Sequence, residues 1–326
     1  MKQVDVSVSM ATYNRAEMLR CALGSLVRQE TDGAFSYEVV VTDDGSTDHT
    51  RQVVREVAAG SQVPITYVSG VGGGVAAARN TGVEQARGRW IAFFDDDQSA
   101  KPDWLKNLLA TALETGADCV GGTRLLDLPK EHLSRFGPVC RTILGENIYG
   151  GRARRLRGRF LPTTGNLLVS RRVFDTIGVF DASMLYGGED SDLLVRARAA
   201  GFEIWFAPKA VVCHLLPQYR LQSSFFQLIS FRWGTSFAYT DFKQRGYCKM
   251  LLVCVARIGQ ALLVNTPCLL LAYLKGNMVE ILDRKCLLWR AQGYTRKCLF
   301  FISPKFFPQK RFFSALDYRV NRRYDT

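Results

Sequence analysis

The sequence has no Cys-x-x-Cys pair and no metal-finger spacing among its nine cysteines, which excludes a zinc module. Their odd count argues against a disulfide framework. Their scatter through apolar segments (Cys119, Cys213, Cys254, Cys268) fits small buried side chains in a reducing compartment. The absence of Gly-Lys-Ser/Thr excludes a P-loop. Gly70-Val71-Gly72 does not extend to a dinucleotide fingerprint, because Val75 stands where the third glycine belongs. No signal peptide is expected, since Met1 to Asp5 lead directly into a strand pattern. Internal repeats, low-complexity tracts and recognised nucleic-acid modules are also missing. What is there is 326 residues, 47% hydrophobic and 22% charged, enough for one large domain and an appendage.

The formal net charge of +13 implies an acidic partner: nucleic acid, an anionic membrane or a phosphorylated substrate. Where the excess lies decides among them.

Val4 to Met10 alternates as a strand does, and the polar turn Ala11-Thr12-Tyr13-Asn14-Arg15 follows. Met18, Leu19, Ala22, Leu23 and Leu26 then recur at helical spacing. Glu38 to Thr42 is a second strand, ending in Asp43-Asp44-Gly45-Ser46-Thr47-Asp48. Ser46 or Thr47 can cap the helix that follows, with Asp48 in its first turn. Pro64 to Val68 is a third strand. Gly70 to Gly74 then form either a flexible turn against a ligand or a plain loop before a helix through Asn80 and Val83. The β-α-β-α-β-α-β alternation predicts an α/β class, a mainly parallel sheet flanked by helices.

The fourth strand carries the most informative residues. Trp90 to Phe94 is an apolar run of a buried parallel strand, and it runs straight into Asp95, Asp96 and Asp97. Open α/β sheets bind ligands at that carboxyl edge. Three adjacent acids repel one another, and a hard cation such as Mg²⁺ or Mn²⁺ offsets their charge. Strand alternation puts Asp95 and Asp97 on one side and Asp96 on the other. The alternative is an exposed acidic turn before a helix beginning near Pro102.

Further on, Asp103 to Leu113 is a predicted helix and Ala117 to Gly122 a strand; residues 127 to 160 have no clear period. They hold a basic run (Arg152, Arg154, Arg155, Arg157, Arg159), either a contact for an acceptor's diphosphate or a solvated loop. Thr163 to Asn166 lead into the strand Leu167 to Ser170, with a helix from Arg171 to Ile177. Glu189, Asp190 and Asp192 open a helix, where acids also sit for dipole reasons alone.

In this order the pieces resemble the family 2 glycosyltransferases of the GT-A fold. The matching parts are Ala11 to Arg15, Val41 to Ser46, Ala78 to Gly82, Phe93 to Asp97 and Gly187 to Leu193, with His214 at the family's usual distance. The resemblance covers roughly residues 4 to 215. It implies a nucleotide diphosphate sugar donor, inversion at the anomeric carbon, and a Mg²⁺ or Mn²⁺ cofactor bridging the diphosphate. It assigns Asp97, with Asp95, to the cation and the donor ribose, alongside Asp96. Thr12, Tyr13, Arg15 and Asp43 would cradle the nucleoside, and Arg79 would reach the base or phosphates unless it is a helix-surface charge. Asp190 becomes the general base that deprotonates the acceptor hydroxyl, with Glu189 orienting the acceptor. His214 either completes the metal shell or is a buried structural histidine. Gln98-Ser99-Ala100 departs from the pattern of many relatives.

Residues 216–326 differ in character from the catalytic stretch 1–215 and predict a helical extension. From Ile258 to Leu274 there are 17 uncharged residues, the lower edge for a membrane crossing. Both flanks are basic, with Lys243, Arg245 and Lys249 before and Lys275, Arg284, Lys285 and Arg290 after, which argues against a single crossing. The options are an interfacial helix, a re-entrant pair turning at Pro267, a buried helix pair, or a span. The tail interleaves Lys297, Lys305, Lys310, Arg311, Arg319, Arg322 and Arg323 with Phe300, Phe301, Phe306, Phe307, Phe312 and Phe313. That mixture suits an anionic bilayer and also single-stranded nucleic acid. With the resemblance, the expectation is a saccharide or lipid-linked acceptor, no nucleic acid, and a cytoplasmic enzyme of bacterial surface-polysaccharide type, peripheral on the inner face of the membrane. The competing readings are a sugar nucleotidyltransferase, whose lysine- and arginine-rich glycine loop is missing near the N-terminus, a nucleic-acid binder using the tail, and an inactive scaffold.

Overall fold

The computed structural model of the chain describes residues 4–70, 72–158, 160–184 and 188–308. In chain order the elements are β1 (Val6–Thr12), α1 (Ala16–Leu26), β2 (Tyr37–Asp43), α2 (Thr50–Ala59), β3 (Ile65–Ser69), α3 (Val75–Gln85), β4 (Trp90–Asp95) and β5 (Gln98–Ala100). Then come α4 (Trp104–Thr115), β6 (Cys119–Asp127), α5 (Lys130–Leu133), α6 (Pro138–Ile143), β7 (Arg154–Arg155), β8 (Asn166–Ser170), α7 (Arg171–Ile177), α8 (Glu189–Ala199) and β9 (Ile204–Leu215). The last elements among the described residues are α9 (Ser223–Gln260), α10 (Thr266–Leu274) and α11 (Met278–Ile302). They fall into two compact units. The first runs to Asp127 and resumes from Glu146 to Leu215; the second comprises Leu128–Gly145 and the chain from Leu216 onward.

The first unit is a mixed sheet in the order β3-β2-β1-β4-β8-β6-β9-β5, with β7 beside β9. β1 to β4 are mutually parallel, as their helical crossovers require. β8 enters antiparallel between β4 and β6. The apolar runs are buried on both faces. Val6, Val8, Met10, Val39 and Val41 pack with Leu19, Leu23 and Trp104, while Ile91, Phe93, Leu167 and Val169 pack on the other side with Phe174 and Phe180. Phe93 meets Phe180 edge-on at 5.2 Å. The register aligns Thr12 with Asp43 and Ala11 with Asp95, so β1, β2 and β4 end together on one edge.

Some elements differ from expectation. Residues 204–215 form one strand, β9, that runs through Pro208. Pro208 has no N–H for a ladder, and the register with β6 shifts there, between Gly122 and Thr123. The Pro208 carbonyl accepts instead from Thr123 Oγ1 at 2.9 Å. β5 and β7 are too short to show a period. All nine cysteines are free thiols; Cys119 and Cys254 are buried, Cys213 and Cys268 half-buried.

In the second unit α11 packs along α9 and α10. α9 is interrupted at Gly246, whose φ is 78°. The helix does not turn back at Pro267. A π-helical turn, Ala261–Asn265, precedes it and accommodates the missing N–H, and α10 continues to Leu274. The reversal comes at Gly276, with φ 62°, and the Asn277 side chain caps α11 by accepting from Glu280 N. Residues 128–145, without period in the sequence, dock through the buried Asp283 carboxylate, which accepts from Val139 N at 3.1 Å and Cys140 N at 2.9 Å. Arg159, Gly187 and the basic-aromatic tail from residue 309 (Lys310, Arg311, Phe312, Phe313, Arg319, Arg322, Arg323) lie outside the described residues, as does Val71.

The crossing of α9 and α11 depends on two glycines. A Cβ on Gly234 would come within 2.0 Å of the Arg290 carbonyl oxygen, and one on Gly293 within 2.1 Å of that of Phe231. Gly293→Ala is therefore expected to destabilise the protein by about 1–3 kcal/mol through overpacking. Equilibrium unfolding measures this, and an unchanged midpoint would contradict the close approach.

Candidate active site

The shared carboxyl edge of β1, β2 and β4 gathers the predicted residues. Thr12 closes β1, and its Oγ1 donates to Asp96 Oδ2 at 2.8 Å. The chain then turns through Asn14, at φ 50°, whose side-chain oxygen accepts from Thr47 N at 2.7 Å. Tyr13 is half-buried in the same turn. Asp43 closes β2; its Oδ1 accepts from Ser46 N at 2.8 Å and its Oδ2 from the Tyr67 hydroxyl at 2.7 Å. Burial and the Asp43 carboxylate together push the Tyr67 phenol up to about 12. Gly70 lies against this edge: its N–H donates to Asp43 O at 2.7 Å, and a Cβ there would meet that oxygen at 2.9 Å. Gly74, at φ 90°, donates its N–H to Asp44 at 3.0 Å. Gly70 therefore lies against the end of β2, where a side chain would collide.

The three consecutive acids do not alternate as the strand pattern predicts. β4 stops at Asp95, and Asp96 and Asp97 form a turn. Arg15 Nη1 donates at 3.0 Å to both Asp96 Oδ1 and Asp97 Oδ2, which places these two together and turns Asp95 elsewhere. Burial holds the Asp96 carboxyl above its ordinary value, Arg15 opposes that, and Asp97 adds to it.

Asp95 faces Arg79, a residue of α3. Arg79 is neither on the helix surface nor extended into solvent. Its guanidinium is buried, donating to Asp95 Oδ1 at 3.2 Å and to Glu189 Oε1. Burial alone would lower its basicity; Glu189, Asp95 and Asp190 reverse that and raise it. The next residue, Asn80, exchanges two 2.9 Å hydrogen bonds with the backbone of Phe180. α3 thus anchors the segment leading to α8. Gly188 opens α8 at φ 100°, and Glu189 and Asp190 follow in the first turn. Asp190 Oδ1 accepts from Ser191 N at 2.7 Å. Burial, then the charges of Glu189 and Asp95, push the Asp190 carboxyl up to about 6, with Arg79 working the other way. Glu189 is 5% exposed, and its Oε2 makes no hydrogen bond among the described residues. Asp192 pairs with Arg196 of its own helix at 2.8 Å.

His214, near the end of β9, approaches Asp97, with Nε2 3.4 Å from Oδ1. β5 brings them together: it pairs with β9 so that Gln98 opposes His214, and Leu215 N donates to Asp97 O at 2.8 Å. One carboxylate and one imidazole are a fitting partial donor set for a divalent ion that keeps water and phosphate oxygens as its other ligands. Among the described residues no group of three or more His, Cys, Asp or Glu side chains could by itself hold a metal. The structure therefore joins Asp97 with His214, and Asp95 with Arg79.

Gln98 and Gly165 are additional residues here. The buried Gln98 amide, Asp95 Oδ2 and Arg124 Nη1 would all lie within 2.7 Å of a Cβ on Gly165. The signal for Gly165 was its place immediately before a buried strand. The basic run lies elsewhere. Arg154 and Arg155 pair with Phe206 and Trp205 near the start of β9, five to six residues of β6 away from the partner of His214, a strand length of roughly 17–20 Å. Arg155 is bound to Glu203 at 2.8 Å.

An α/β sheet with polar turns and carboxylates on one edge has its ligand-binding crevice at that edge. The model of the glycosyl transferase family 2 matches residues 7–178, and the chain belongs to that family. It is 32% identical over 211 residues to the glycosyltransferase AglE of Haloferax volcanii, covering 64% of this chain and 66% of that one. It is 28% identical over 233 residues to the succinoglycan biosynthesis protein ExoM of Rhizobium meliloti, covering 70% and 72%. In fold it is similar to the mannosyltransferase PcManGT of Pyrobaculum calidifontis, solved with GDP-Man and Mn²⁺. That match has a TM-score of 0.61 at 18% identity and covers 90% of this chain and 88% of that one.

Removing Arg79 leaves Glu189 and Asp95 without their shared counter-ion. Arg79→Leu is expected to cost about 3–5 kcal/mol in chemical unfolding. A loss below about 1 kcal/mol, the range of a surface pair, would contradict its bridging position.

Proposed function

We propose that the chain transfers a glycosyl group from a nucleotide diphosphate sugar to a hydroxyl of a saccharide or lipid-linked acceptor, with inversion. The observation that carries this reading is that Arg79 joins Asp95, at the head of the acidic run, to Glu189, the neighbour of Asp190. In-line inversion needs a leaving-group site and a base on opposite faces of the anomeric carbon. Thr12, Tyr13, Arg15 and Asp43 are assigned to the nucleoside end, with Asp95 and Asp96 beside them. Asp97 and His214 would hold a divalent ion. That ion, Mg²⁺ or Mn²⁺, would stabilise charge developing on the departing diphosphate. Asp190 takes the proton from the acceptor hydroxyl as the bond to carbon forms, and Glu189 orients the acceptor. Arg79 acts by holding Asp95 and Glu189 at a fixed separation.

The base must be ionised to work, so its raised value sets an acid limb. Transfer is expected to rise with pH through about 6 and to level off above it. Asp190→Asn is expected to lower kcat by at least about 10²-fold while leaving nucleotide affinity within a factor of about three. Turnover assays and calorimetry with the donor check both; near-normal turnover in the variant would remove Asp190 from the role.

The second unit is read as a membrane-surface element at the cytoplasmic face. It carries 21 Lys and Arg against 6 Asp and Glu, while the rest of the chain has 22 against 24, so the whole basic excess lies in it. The run Ser223–Leu274 contains an 18-residue window apolar enough for a membrane, of which only 17% is buried. Leu263 is 80% exposed and Leu274 84%. Basic residues near an anionic surface contribute about 1 kcal/mol each, and each inserted leucine about 1.5–3 kcal/mol. Leu263→Asp is expected to leave the unfolding midpoint unchanged and to weaken sedimentation with anionic vesicles by about tenfold or more. Undiminished sedimentation would place that face outside the bilayer.

A further inference from the structure

Arg155, Leu156 and Arg157 of the basic run line a cavity of about 240 Å³ together with Arg198, Phe202 and Ile204. It lies near the start of β9, where Arg155 pairs with Trp205, and not at the strand end that carries His214. The segment forming its wall is held on both sides of Arg157. Leu156 N donates to Ile204 O at 2.7 Å, and the Arg198 side chain donates to the carbonyls of Leu156, at 3.3 Å, and Gly158. Arg157 stands between these anchored residues. It is exposed, and among the described residues it makes no hydrogen bond or ion pair.

The neighbouring acid, Glu203, is engaged on both oxygens, by Arg155 at 2.8 Å and by Trp205 Nε1 at 2.9 Å. The last turn of α8 offsets part of the Arg198 charge, but Arg157 lies outside any helix. A guanidinium has five N–H groups, so Arg198 retains donors beyond the two given to carbonyls. Guanidinium forks match carboxylate and phosphate oxygens. Leu156, Phe202 and Ile204 add carbon surface to the same cavity. Its volume is that of roughly eight water molecules, below the range of about 300–1,000 Å³ usual for drug-sized ligands. A single ring with one anionic group suits that space; a nucleoside diphosphate is too large. A pyranose presents C–H bonds on its faces and hydroxyls on its rim, which suits apolar side chains bordered by donors. Among anionic rings, the family to which the chain belongs favours a sugar.

We propose that this cavity binds a saccharide unit bearing one oxyanion group, a sugar carboxylate or a sugar phosphate, with Arg157 and Arg198 on the anion and Leu156, Phe202 and Ile204 against the ring. Arg198 and Asp190 lie near opposite ends of α8, about 12 Å apart along its axis, so the occupant is a different unit from the sugar being transferred. The proposal goes beyond the transfer reading and rests on it only in that the chain handles saccharides.

The test uses the full chain, titrated by NMR or calorimetry with glucuronate, glucose 6-phosphate, glucose and inorganic phosphate. At least one of the two sugar acids is expected to bind about tenfold more tightly than either glucose or inorganic phosphate, and the tighter of the two identifies the anion as carboxylate or phosphate. Arg157→Gln should erase the preference over glucose with an unchanged unfolding midpoint, because that side chain has no bond within the fold to lose. Binding should persist in Asp190→Asn and in the presence of Mn²⁺ with UDP or GDP, which would fill the acidic edge. Sugar acids that bind no better than glucose, or an Arg157→Gln variant that binds them as the wild type does, would overturn the site. Inorganic phosphate that binds as tightly as glucose 6-phosphate would reduce it to a bare anion site and overturn the saccharide. Displacement by the nucleotide would place the sugar acid at the acidic edge instead. A failure of Asp190 as the base would leave each of these binding results unchanged, so the two readings fail separately.

Discussion

Arg79 donates to Asp95 and to Glu189, residues that come from a strand end and a helix start far apart in the chain. A guanidinium buried in protein needs carboxylates, and carboxylates buried as deeply as Glu189 need a cation. Neither group is tolerable there without the other. The constraint fixes α3 and α8 about one charge cluster and leaves Asp190, whose carboxyl has no such cation bonded to it, with a proton affinity near neutrality. Arg15 plays the corresponding part for Asp96 and Asp97. The protein's own arginines thus offset part of the repulsion among three consecutive acids, and the orientation of each carboxylate follows from which arginine it meets.

Much of the first unit was legible because its strands are buried on both faces and its helices on one. Val39 to Val41 and Ile91 to Phe94 can be little else, and the polar residues after them mark the sheet edge. The resemblance then assigned roles to particular acids. The partners of those acids were harder to read. Alternation describes a strand, and β4 ends one residue before Asp96, so a rule of period two assigned Asp96 and Asp97 to opposite sides when one arginine holds both. Arg79 lies on a helix with little one-sided patterning, where nothing local distinguishes a buried bridge from a surface charge. β5 is three residues long and exists because β9 is there to pair with it.

In the second unit the sequence showed character and hid geometry. The apolar run and its basic flanks were plain, but Pro267 suggested a turn that the backbone avoids by opening one π-helical turn before it. Residues 128–145 have no period because their two short helices are held by one carboxylate of α11, a contact more than 140 residues away. The segregation of charge is also a tertiary fact: the near-balance of the first unit suits a site that manages anions with specific arginines, and the excess of the second suits a surface.

The central claim is that Asp190 sits in a buried field of carboxylates that keeps its own carboxyl protonated well above the usual aspartate range. Titrating that side chain directly, by carbon-detected NMR of the labelled protein compared with Asp190→Asn to assign the signal, tests it most directly. The account predicts a midpoint near pH 6. A midpoint at or below about 4, that of an aspartate in water, would contradict it.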